Sequence, residues 1–391
     1  MIRKFGVKNY FCFKEGVDIN FGFDGNVPES ISQGRDFSTV IGIKGSNGSG
    51  KTNIIKAIQF LRSFCYFASD SNNEDRLAIN GYYDSTDPSE FYIDFEVDDV
   101  KYYYELDVTA NGVLSEVLYR TPIRETKARK TKILERQGDA VVEAIEELSE
   151  LKLLRLKNNA SIISLVRKYN FRADMADLHR IAQFFFKFIS NVDFFGYRNI
   201  DLGYEVIAKE YKQDPALFKF VKEIVRSADD GIEDIVIESR LDENGNEVFY
   251  PLFIHQHNGK NYALRIGDES SGTRVLFQRM HMYWIVLSTG GLLALDEFDI
   301  HIHAMILPKI IELFTNPESN PHNAQFIFTA HNTEIIDTLG KYRTILVNKE
   351  DNESYCYRLD EIPGSMIRND RTIVPLYLQG KIGGVPGDEK L

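Results

Sequence analysis

The octapeptide Gly45-Ser46-Asn47-Gly48-Ser49-Gly50-Lys51-Thr52 fits the phosphate-loop spacing G-x-x-x-x-G-K-[ST]. Its glycines let the backbone wrap closely around phosphate groups, so that main-chain N–H groups point at the anion where a helix begins. Lys51 would contact the β- and γ-phosphates, and the Thr52 hydroxyl would ligate Mg²⁺. The flanks fit this interpretation, because residues 38–43 resemble a buried strand and residues 53–58 open a helix. A Gly/Ser-rich hairpin is the alternative, and the flanks disfavour it.

An acidic strand end supplies the second group of chemical residues. Residues 291–297 form an apolar run that ends in Asp296 and Glu297. At such a strand end Asp296 can hold the Mg²⁺ shell, as the second acidic element of phosphate-loop enzymes does. Glu297 is then placed to polarise an attacking water. A strand that simply enters an acidic turn is the alternative.

Two further motifs flank this acidic strand. The turn Ser270-Ser271-Gly272-Thr273 precedes a helical pattern, and a Ser-x-Gly-Thr turn presents N–H groups and a hydroxyl to an anion. By itself it is also an ordinary helix start. Residues 325–332 read as a strand that ends at His331. Such a histidine is more often structural, so the order of all the motifs carries the prediction.

In this order, the motifs resemble those of the ABC-type ATPases, in the branch that contains chromosome-maintenance and recombination ATPases. The resemblance covers residues 1–120 and 225–350 and includes the opening strands and the Gly-Lys-Thr-Asn sequence that ends at Asn53. It implies ATP and Mg²⁺ as ligands, Glu297 as catalytic base and His331 as the switch histidine. It also implies that Ser270, Gly272 and Thr273 of one protomer cap the γ-phosphate held by another, which requires a homodimer or a higher homo-oligomer.

Within that branch the chain looks similar to small bacterial phage-defence ATPases of the abortive-infection and overcoming-lysogenisation kind. The motifs that carry this likeness are Leu295–Asp299 followed by His303, the Glu269–Arg274 signature, Ala228–Ile232 and the segment 377–386. The resemblance implies an ATPase that controls a separate effector protein, a nuclease or a toxin. Two departures are Glu269 and Ser271 in the signature, where transporters have Leu and Gly. We find no convincing glutamine loop.

Composition limits the remaining classes. The 391 residues are 43% hydrophobic and 12% aromatic, which is enough for a sizeable core. A formal charge of −12 argues against a chain that coats nucleic acid indiscriminately. No run of 18 apolar residues and no charged-then-apolar leader occurs, so we expect a cytoplasmic protein with no membrane association. Cys12, Cys65 and Cys356 show no metal or disulfide spacing.

The chain-wide pattern predicts an α/β fold: an ABC-type phosphate-loop ATPase head with a mixed sheet and an inserted helical subdomain. The expected divisions are a first ATPase half at 1–122, a helical insertion at 123–222, a second ATPase half at 223–350 and a C-terminal extension at 351–391. The insertion begins with the basic run Arg124–Arg136 and holds the aromatic stretch Phe184–Phe188. We expect it to carry partner recognition, with nucleic acid as one candidate partner for the basic run and a solvated helix face as the alternative.

Several other functions compete with this interpretation. Asn348-Lys349-Glu350-Asp351 matches the guanine-reading pattern, but a GTPase needs Gly at the position of Asp299. A self-contained nuclease would need a second acidic domain, and only about 40 residues follow the last ATPase strand; they include Asp360, Glu361 and Asp370. An ATP-dependent DNA repair or recombination ATPase, or an ATP-binding scaffold or antitoxin with little turnover, remains open.

Overall fold

Two large β-sheets organise the chain, with helices between and outside them. The computed structural model describes residues 1–70, 72, 76–123, 129–364, 366–368 and 371–385. The strands of these ranges are β1 (Ile2–Lys8), β2 (Val17–Asn20), β3 (Val40–Gly45), β4 (Ser89–Val97), β5 (Val100–Thr109), β6 (Gly112–Pro122), β7 (Thr131–Gln137), β8 (Ala140–Ala144), β9 (Phe188–Ser190), β10 (Val192–Asp193), β11 (Gly196–Tyr197), β12 (Ile232–Leu241), β13 (Glu247–His257), β14 (Lys260–Arg265), β15 (Leu292–Leu295), β16 (Gln325–Thr329), β17 (Thr344–Glu350) and β18 (Glu353–Arg358).

The helices connect these strands. They are α1 (Glu29–Ser32), α2 (Lys51–Arg62), α3 (Ile162–Leu165), α4 (Ala176–Phe186), α5 (Tyr204–Gln213), α6 (Pro215–Ala228), α7 (Ser271–Thr289), α8 (Leu307–Thr315), α9 (Ile335–Leu339) and α10 (Val374–Leu378). A π-helical turn, Ser63–Phe67, continues α2, and 3₁₀ turns lie at Ala68–Asp70, Glu146–Leu153, Ile266–Asp268, Ala304–Ile306 and Leu359–Glu361. No helix of the described ranges has the length and apolar character needed to cross a membrane.

The sheet that positions the predicted site has the strand order β18-β17-β3-β16-β15-β9. Neighbouring strands are parallel except for the antiparallel edge pair β17–β18. Strands β15 and β16 are buried along their whole length, and β3 is buried up to its last residue, Gly45. Such continuous burial is typical of parallel strands that are covered on both faces. Their carboxyl ends meet at one edge, where ligands bind in sheets of this kind.

The second large sheet is antiparallel and has the order β2-β1-β4-β5-β6-β7-β8. Strands β4 and β5 bury every second residue, so one face packs on the core and the other faces solvent. The two strands pair antiparallel and form a hairpin. A core cluster joins the buried face to α2, whose buried side chains include Ile54, Ile58 and Leu61.

A second core cluster lies on the other side of the parallel sheet. It joins α5, α6, α7 and α8 to β12 and β13 and to the Phe326 and Phe328 side chains of β16. Strands β12 and β13 form a three-stranded antiparallel sheet with β14. The mixed sheet and the α/β character of the predicted fold are therefore confirmed.

The helical character predicted for residues 123–222 is wrong for much of that segment. Residues 131–144 form β7 and β8, which extend the antiparallel sheet. Strand β9 joins the parallel sheet beside β15. Within the described part of the segment, α3, α4, α5 and α6 are α-helical and Glu146–Leu153 forms a 3₁₀ turn. Helices α5 and α6 contribute to the second core cluster. The segment is therefore built into both large sheets. In β7 the apolar residues Ile133 and Leu134 are buried although charged residues flank them.

The aromatic stretch also packs inside the chain. Phe184, Phe185 and Phe188 are at most 7% exposed, and the Phe95 ring of β4 stacks on Phe184 at 4.5 Å. Phe186 is half exposed and contacts Tyr66. The Phe184, Phe185 and Phe188 rings therefore fill the core between α4 and the antiparallel sheet, and Phe186 is the half-exposed member of the stretch. Three of the four phenylalanines are thus used inside the chain.

The C-terminal residues form a small cluster of their own against the parallel sheet. Ile373, Tyr377 and Ile382 are buried against Ile336 of α9 and Leu346 of β17. The proposed extension at 351–391 therefore begins inside the sheet with β18 and continues as a segment packed on α9. Asp370 lies outside the described residues, as do residues 124–128, the first part of the basic run.

Candidate functional site

The phosphate loop connects β3 to α2 at the carboxyl edge of the parallel sheet. Gly50 precedes the helix with φ of 108°, in the region that favours glycine, and a Cβ there would lie 2.5 Å from the Cys12 sulfur. The first N–H groups of an α-helix have no acceptor one turn back within the helix, and in α2 the Asn53 N–H donates to the Gly50 carbonyl at 3.0 Å. The buried Ser49 hydroxyl has no hydrogen-bond partner within the described residues. The loop therefore offers unsatisfied donors at a helix N-terminus, which fits a bound phosphate.

Lys51 is folded back onto this loop. Its Nζ donates hydrogen bonds of 2.9 Å to the carbonyl oxygens of Gly45 and Ser46. The side chain is 9% exposed, so it is not the fully exposed charge that a loop lysine suggests. Burial lowers its pKa, while the charges of Asp296 and Glu297 oppose that shift. Lys51 therefore holds a positive charge beside the two predicted acidic residues.

Asp296 is placed by two threonines from different elements. The Thr52 hydroxyl of α2 donates to Asp296 Oδ2 at 2.8 Å, and the Thr329 hydroxyl at the end of β16 donates to Oδ1 at 2.5 Å. Thr329 Oγ1 also accepts a 2.8 Å hydrogen bond from the Glu297 N–H. The predicted Mg²⁺ ligands Thr52 and Asp296 are thus in contact. A hydroxyl and a carboxylate are oxygen donors of the kind that Mg²⁺ prefers.

Asn191 is a site residue that the sequence analysis missed. It follows β9, and its amide pairs with the main chain of Asp296 in both directions: Nδ2 donates to the Asp296 carbonyl at 2.8 Å, and Oδ1 accepts from the Asp296 N–H at 2.7 Å. The side chain thereby continues the ladder between β9 and β15. No sequence motif marks this residue, because its partner lies 105 residues away.

Glu297 and His331 form the outer part of the site. Glu297 has φ of 51°, a left-handed conformation that is uncommon for a residue with a side chain and is often found at active sites. His331 Nε2 lies 3.5 Å from Glu297 Oε1. Both side chains are accessible, with exposed fractions of 38% for Glu297 and 53% for His331. The structure therefore places Lys51, Thr52, Asp296, Glu297 and His331 next to one another at the carboxyl edge of the parallel sheet.

The Ser270–Thr273 turn is organised as a helix start. Ser270 Oγ accepts from the Thr273 N–H at 3.1 Å and caps α7. The Thr273 side chain is buried, and its hydroxyl donates to Asp229 at 3.3 Å, so this hydroxyl already has a partner inside the chain. Glu269 is buried against His255 at 2.8 Å. The turn therefore presents its free N–H groups and the exposed Ser270 to an incoming anion.

A cleft of about 720 Å³ lies beside the phosphate loop. Its wall includes Phe11, Cys12 and Asn53, and the Asn53 amide donates to the Cys12 sulfur at 3.1 Å. The opposite wall comes from the segment 79–89 and from Lys349. The cleft thus combines an aromatic ring with polar groups and adjoins the phosphate loop at Asn53, whereas residues 45–52 do not line it.

The structure disfavours guanine recognition by Asn348. The Asn348 side-chain oxygen accepts a 2.7 Å hydrogen bond from the Gly384 N–H of the C-terminal segment. Lys349, the next residue, does line the cleft. The oxygen of the amide that would read guanine is thus engaged by the C-terminal segment.

The basic run is not a continuous exposed helix face. Arg136 of β7 is 0% exposed and forms a buried ion pair with Glu116 at 3.1 Å. Lys132 pairs with Glu135 and Glu143. Within the described part of this run, Arg129 and Lys130 are the exposed cations, and the Lys130 ammonium lies 3.6 Å from the centre of the Tyr103 ring.

The parallel sheet, with the loop and helix that follow β3, defines a phosphate-loop domain of the α/β class. Residues 40–337 match the model of the family described as "AAA domain, putative AbiEii toxin, Type IV TA system". The chain belongs to this family, which confirms the resemblance to abortive-infection ATPases. A search of curated proteins found no match. Among solved structures, the chain is similar to "Crystal structure of the SmcHead bound to the C-winged helix domain of ScpA", with 16% identity, coverage of 92% of this chain and 99% of that one, and a TM-score of 0.49.

Proposed function

We propose that this protein binds ATP with Mg²⁺ at the phosphate loop and hydrolyses it to ADP and phosphate. The observation that carries the proposal is the contact between Thr52 and Asp296, with Glu297 next in the chain. The contact joins the phosphate loop to the acidic strand end, and the accessible carboxylate beside it can accept a proton from water. The cleft beside Phe11 supports placement of the adenosine part of the nucleotide.

Each side chain has a defined task in this proposal. Lys51 and the loop N–H groups bind the β- and γ-phosphates. Thr52 and Asp296 would hold Mg²⁺, which neutralises charge on the phosphates when it is bound. Glu297 accepts the proton of the attacking water, and His331, 3.5 Å from that carboxylate, contacts the γ-phosphate side of the site.

The same site is open where a second protomer would complete it. Glu297 and His331 are accessible, and the Ser270–Thr273 turn lies beside the loop after Asp296, since a Cβ on Gly272 would be 3.2 Å from the His301 carbonyl. We infer that ATP closes a homodimer or larger assembly in which this turn caps the neighbour's γ-phosphate.

The biological role we propose is control of a separate effector, a nuclease or toxin, in cytoplasmic anti-phage defence. The family description, which names an abortive-infection toxin and a toxin–antitoxin system, supports this setting. The exposed pair Arg129 and Lys130 is the part of the described basic run that remains for a partner or nucleic acid.

Two variants test the catalytic proposal. Lys51→Ala should lose ATP binding, because it removes both the phosphate ligand and the two hydrogen bonds that shape the loop. Glu297→Gln should keep ATP and Mg²⁺, lose about 10²–10⁴-fold in kcat and accumulate as the ATP-bound assembly on size-exclusion chromatography.

The exposed Glu318→Gln serves as the matched control and should retain the parental rate. Normal ATP binding by Lys51→Ala would refute the phosphate-loop assignment. Parental turnover by Glu297→Gln would place the base elsewhere. Assembly on ATP with no measurable turnover in the parent would favour the scaffold alternative.

A further inference from the structure

Lys44, the residue before the phosphate loop, holds the loop that carries His331. Its side chain belongs to β3 and is 3% exposed. Its Nζ donates to three consecutive carbonyl oxygens: Ala330 at 2.8 Å, His331 at 2.8 Å and Asn332 at 3.1 Å. An ammonium has three N–H donors, so each of them has a main-chain acceptor in this one loop.

Asp299 binds the same loop through the N–H groups of the loop, whereas Lys44 binds its carbonyl oxygens. Its Oδ2 accepts hydrogen bonds from the His331 N–H at 2.9 Å and the Asn332 N–H at 2.7 Å. Asp299 follows the catalytic strand end by two residues, whereas Lys44 precedes the phosphate loop by one. Lys44 therefore binds the carbonyl oxygens of the His331 loop, and Asp299 binds its N–H groups. The loop is held by one residue next to the phosphate loop and by one residue next to the acidic strand end.

The two contacts explain why His331 faces Glu297. Loop residues are usually mobile, and a backbone shift of about 1 Å at a catalytic group can reduce turnover by about 10²-fold. In the loop that follows β16, both the carbonyl oxygens and the N–H groups are hydrogen-bonded to charged side chains. Charged donors and acceptors form the stronger hydrogen bonds.

We propose that Lys44 and Asp299 are positioning residues that hold the main chain of residues 330–332, and thereby hold His331 against Glu297 during hydrolysis. The proposal rests on the ATPase function proposed above and assigns Lys44 and Asp299 to the same task, the positioning of the loop that carries His331. Neither side chain needs to touch the nucleotide.

The test uses Lys44→Met, which keeps an unbranched side chain but removes the three donors. We expect kcat to fall about 10–100-fold with little change in KM for ATP, because the phosphate loop itself is intact. In a His331→Ala background, Lys44→Met should produce little further loss, since both changes remove the same function. The exposed Lys152→Met is the matched control and should keep the parental rate.

Amide hydrogen exchange provides a readout that does not depend on catalysis. Lys44→Met and Asp299→Asn should each raise exchange of the His331 and Asn332 amides by about tenfold or more, with α2 unchanged. Unchanged exchange in that loop would overturn the proposal, whether or not the parent hydrolyses ATP. Fully additive losses of kcat for Lys44→Met and His331→Ala would also overturn it. If the parent protein shows no turnover and both variants still raise the exchange of these amides, the ATPase proposal is refuted and the positioning of the loop by Lys44 and Asp299 is retained.

Discussion

The Thr52 hydroxyl and the Asp296 carboxylate lie 2.8 Å apart, which joins two segments separated by 244 residues. This one hydrogen bond connects the helix that begins at the phosphate loop to the end of the acidic strand. The contact sets the spacing between the two predicted Mg²⁺ ligands. Asn191 then fixes the Asp296 main chain from the neighbouring strand.

Replacement of Asn191 by Leu should weaken the use of Mg²⁺ without loss of the fold. Leu has the same branching and the same number of heavy side-chain atoms but makes neither hydrogen bond to the Asp296 main chain, so the carboxylate loses its fixed position. We expect the Mg²⁺ concentration for half-maximal ATPase activity to rise about tenfold, as is typical when a supporting partner of a metal ligand is removed. The measurement is a Mg²⁺ titration at saturating ATP.

The exposed Asn199 offers a matched control, and Asn199→Leu should leave the Mg²⁺ titration unchanged. Melting temperatures of both variants separate a local effect from unfolding. An unchanged titration for a folded Asn191→Leu would show that Asp296 is held well enough by Thr52 and Thr329.

If each ATPase site is completed by the Ser270–Thr273 turn of a second protomer, two inactive variants should restore activity when they are mixed. Lys51→Ala removes phosphate binding, and Gly272→Asp places a carboxylate where the neighbour's phosphate is expected. A mixed dimer contains one intact composite site and one site with both defects. ATPase activity of the mixture should exceed that of either variant alone.

Gly272→Ala is the control for crowding, because its Cβ meets the same His301 carbonyl at 3.2 Å but carries no charge. It should retain much more activity than Gly272→Asp. If heterodimers form and show no activity, the site is completed within one chain.

Turnover should fall above about pH 8 through deprotonation of Lys44. Burial is the main cause that lowers the pKa of Lys44 to about 8, and the charge of Lys51 lowers it further, whereas Asp299 raises it. The Tyr377 ring, 5.9 Å away, stays neutral because burial raises its pKa. A neutral amine has two N–H donors, so one of its three carbonyl acceptors loses its bond and the His331 loop is held less firmly.

Stability should change in the opposite direction over this pH range. The unfolded chain keeps Lys44 protonated up to about pH 10.5, so the unfolded state binds more protons between pH 8 and 10.5. The contribution of Lys44 to stability therefore rises as pH rises through this window. A pH profile of kcat alongside denaturant unfolding checks both signs. The alkaline fall should be reduced in Lys44→Met, and an identical fall there would assign it to Lys51 or another group.

The sequence was most informative where function depends on local chemistry. The sequence predicts the phosphate loop, the acidic strand end and His331 as site residues because their residue types and their strand or helix flanks are close together in the chain. The strands β15 and β16 were recognisable as short apolar runs, and their parallel pairing brings Asp296 and Thr329 together.

The sequence was less informative where a residue acts through distant main chain. Asn191 and Lys44 bond to peptide groups more than 100 residues away, and a peptide group has no side-chain signature. The sequence predicts a helix where β7 lies, because charged residues surround its two buried apolar positions, Ile133 and Leu134. The sequence alone does not distinguish the buried Arg136 of that strand from an arginine on the surface.

Arg136 therefore distinguishes the two interpretations of the basic run. Its guanidinium donates to Glu116 and to the carbonyl oxygens of Gly138, Lys157 and Ala160, and Glu116 in turn accepts from Tyr104 and Ser161, so the ion pair lies in a buried network. Arg136→Met leaves the Glu116 carboxylate buried without its cation. We expect a loss of about 3–5 kcal/mol in the free energy of unfolding, measured by urea denaturation.

Arg129→Met is the matched control from the same run, and as an exposed site it should change stability by no more than about 0.5 kcal/mol. The double variant Glu116→Gln/Arg136→Met should be more stable than Arg136→Met alone, because it removes the unpaired buried charge. This recovery separates loss of the ion pair from loss of packing. If Arg136→Met were as stable as Arg129→Met, Arg136 would belong to a solvated surface, and the basic run would again be available in full for partner recognition.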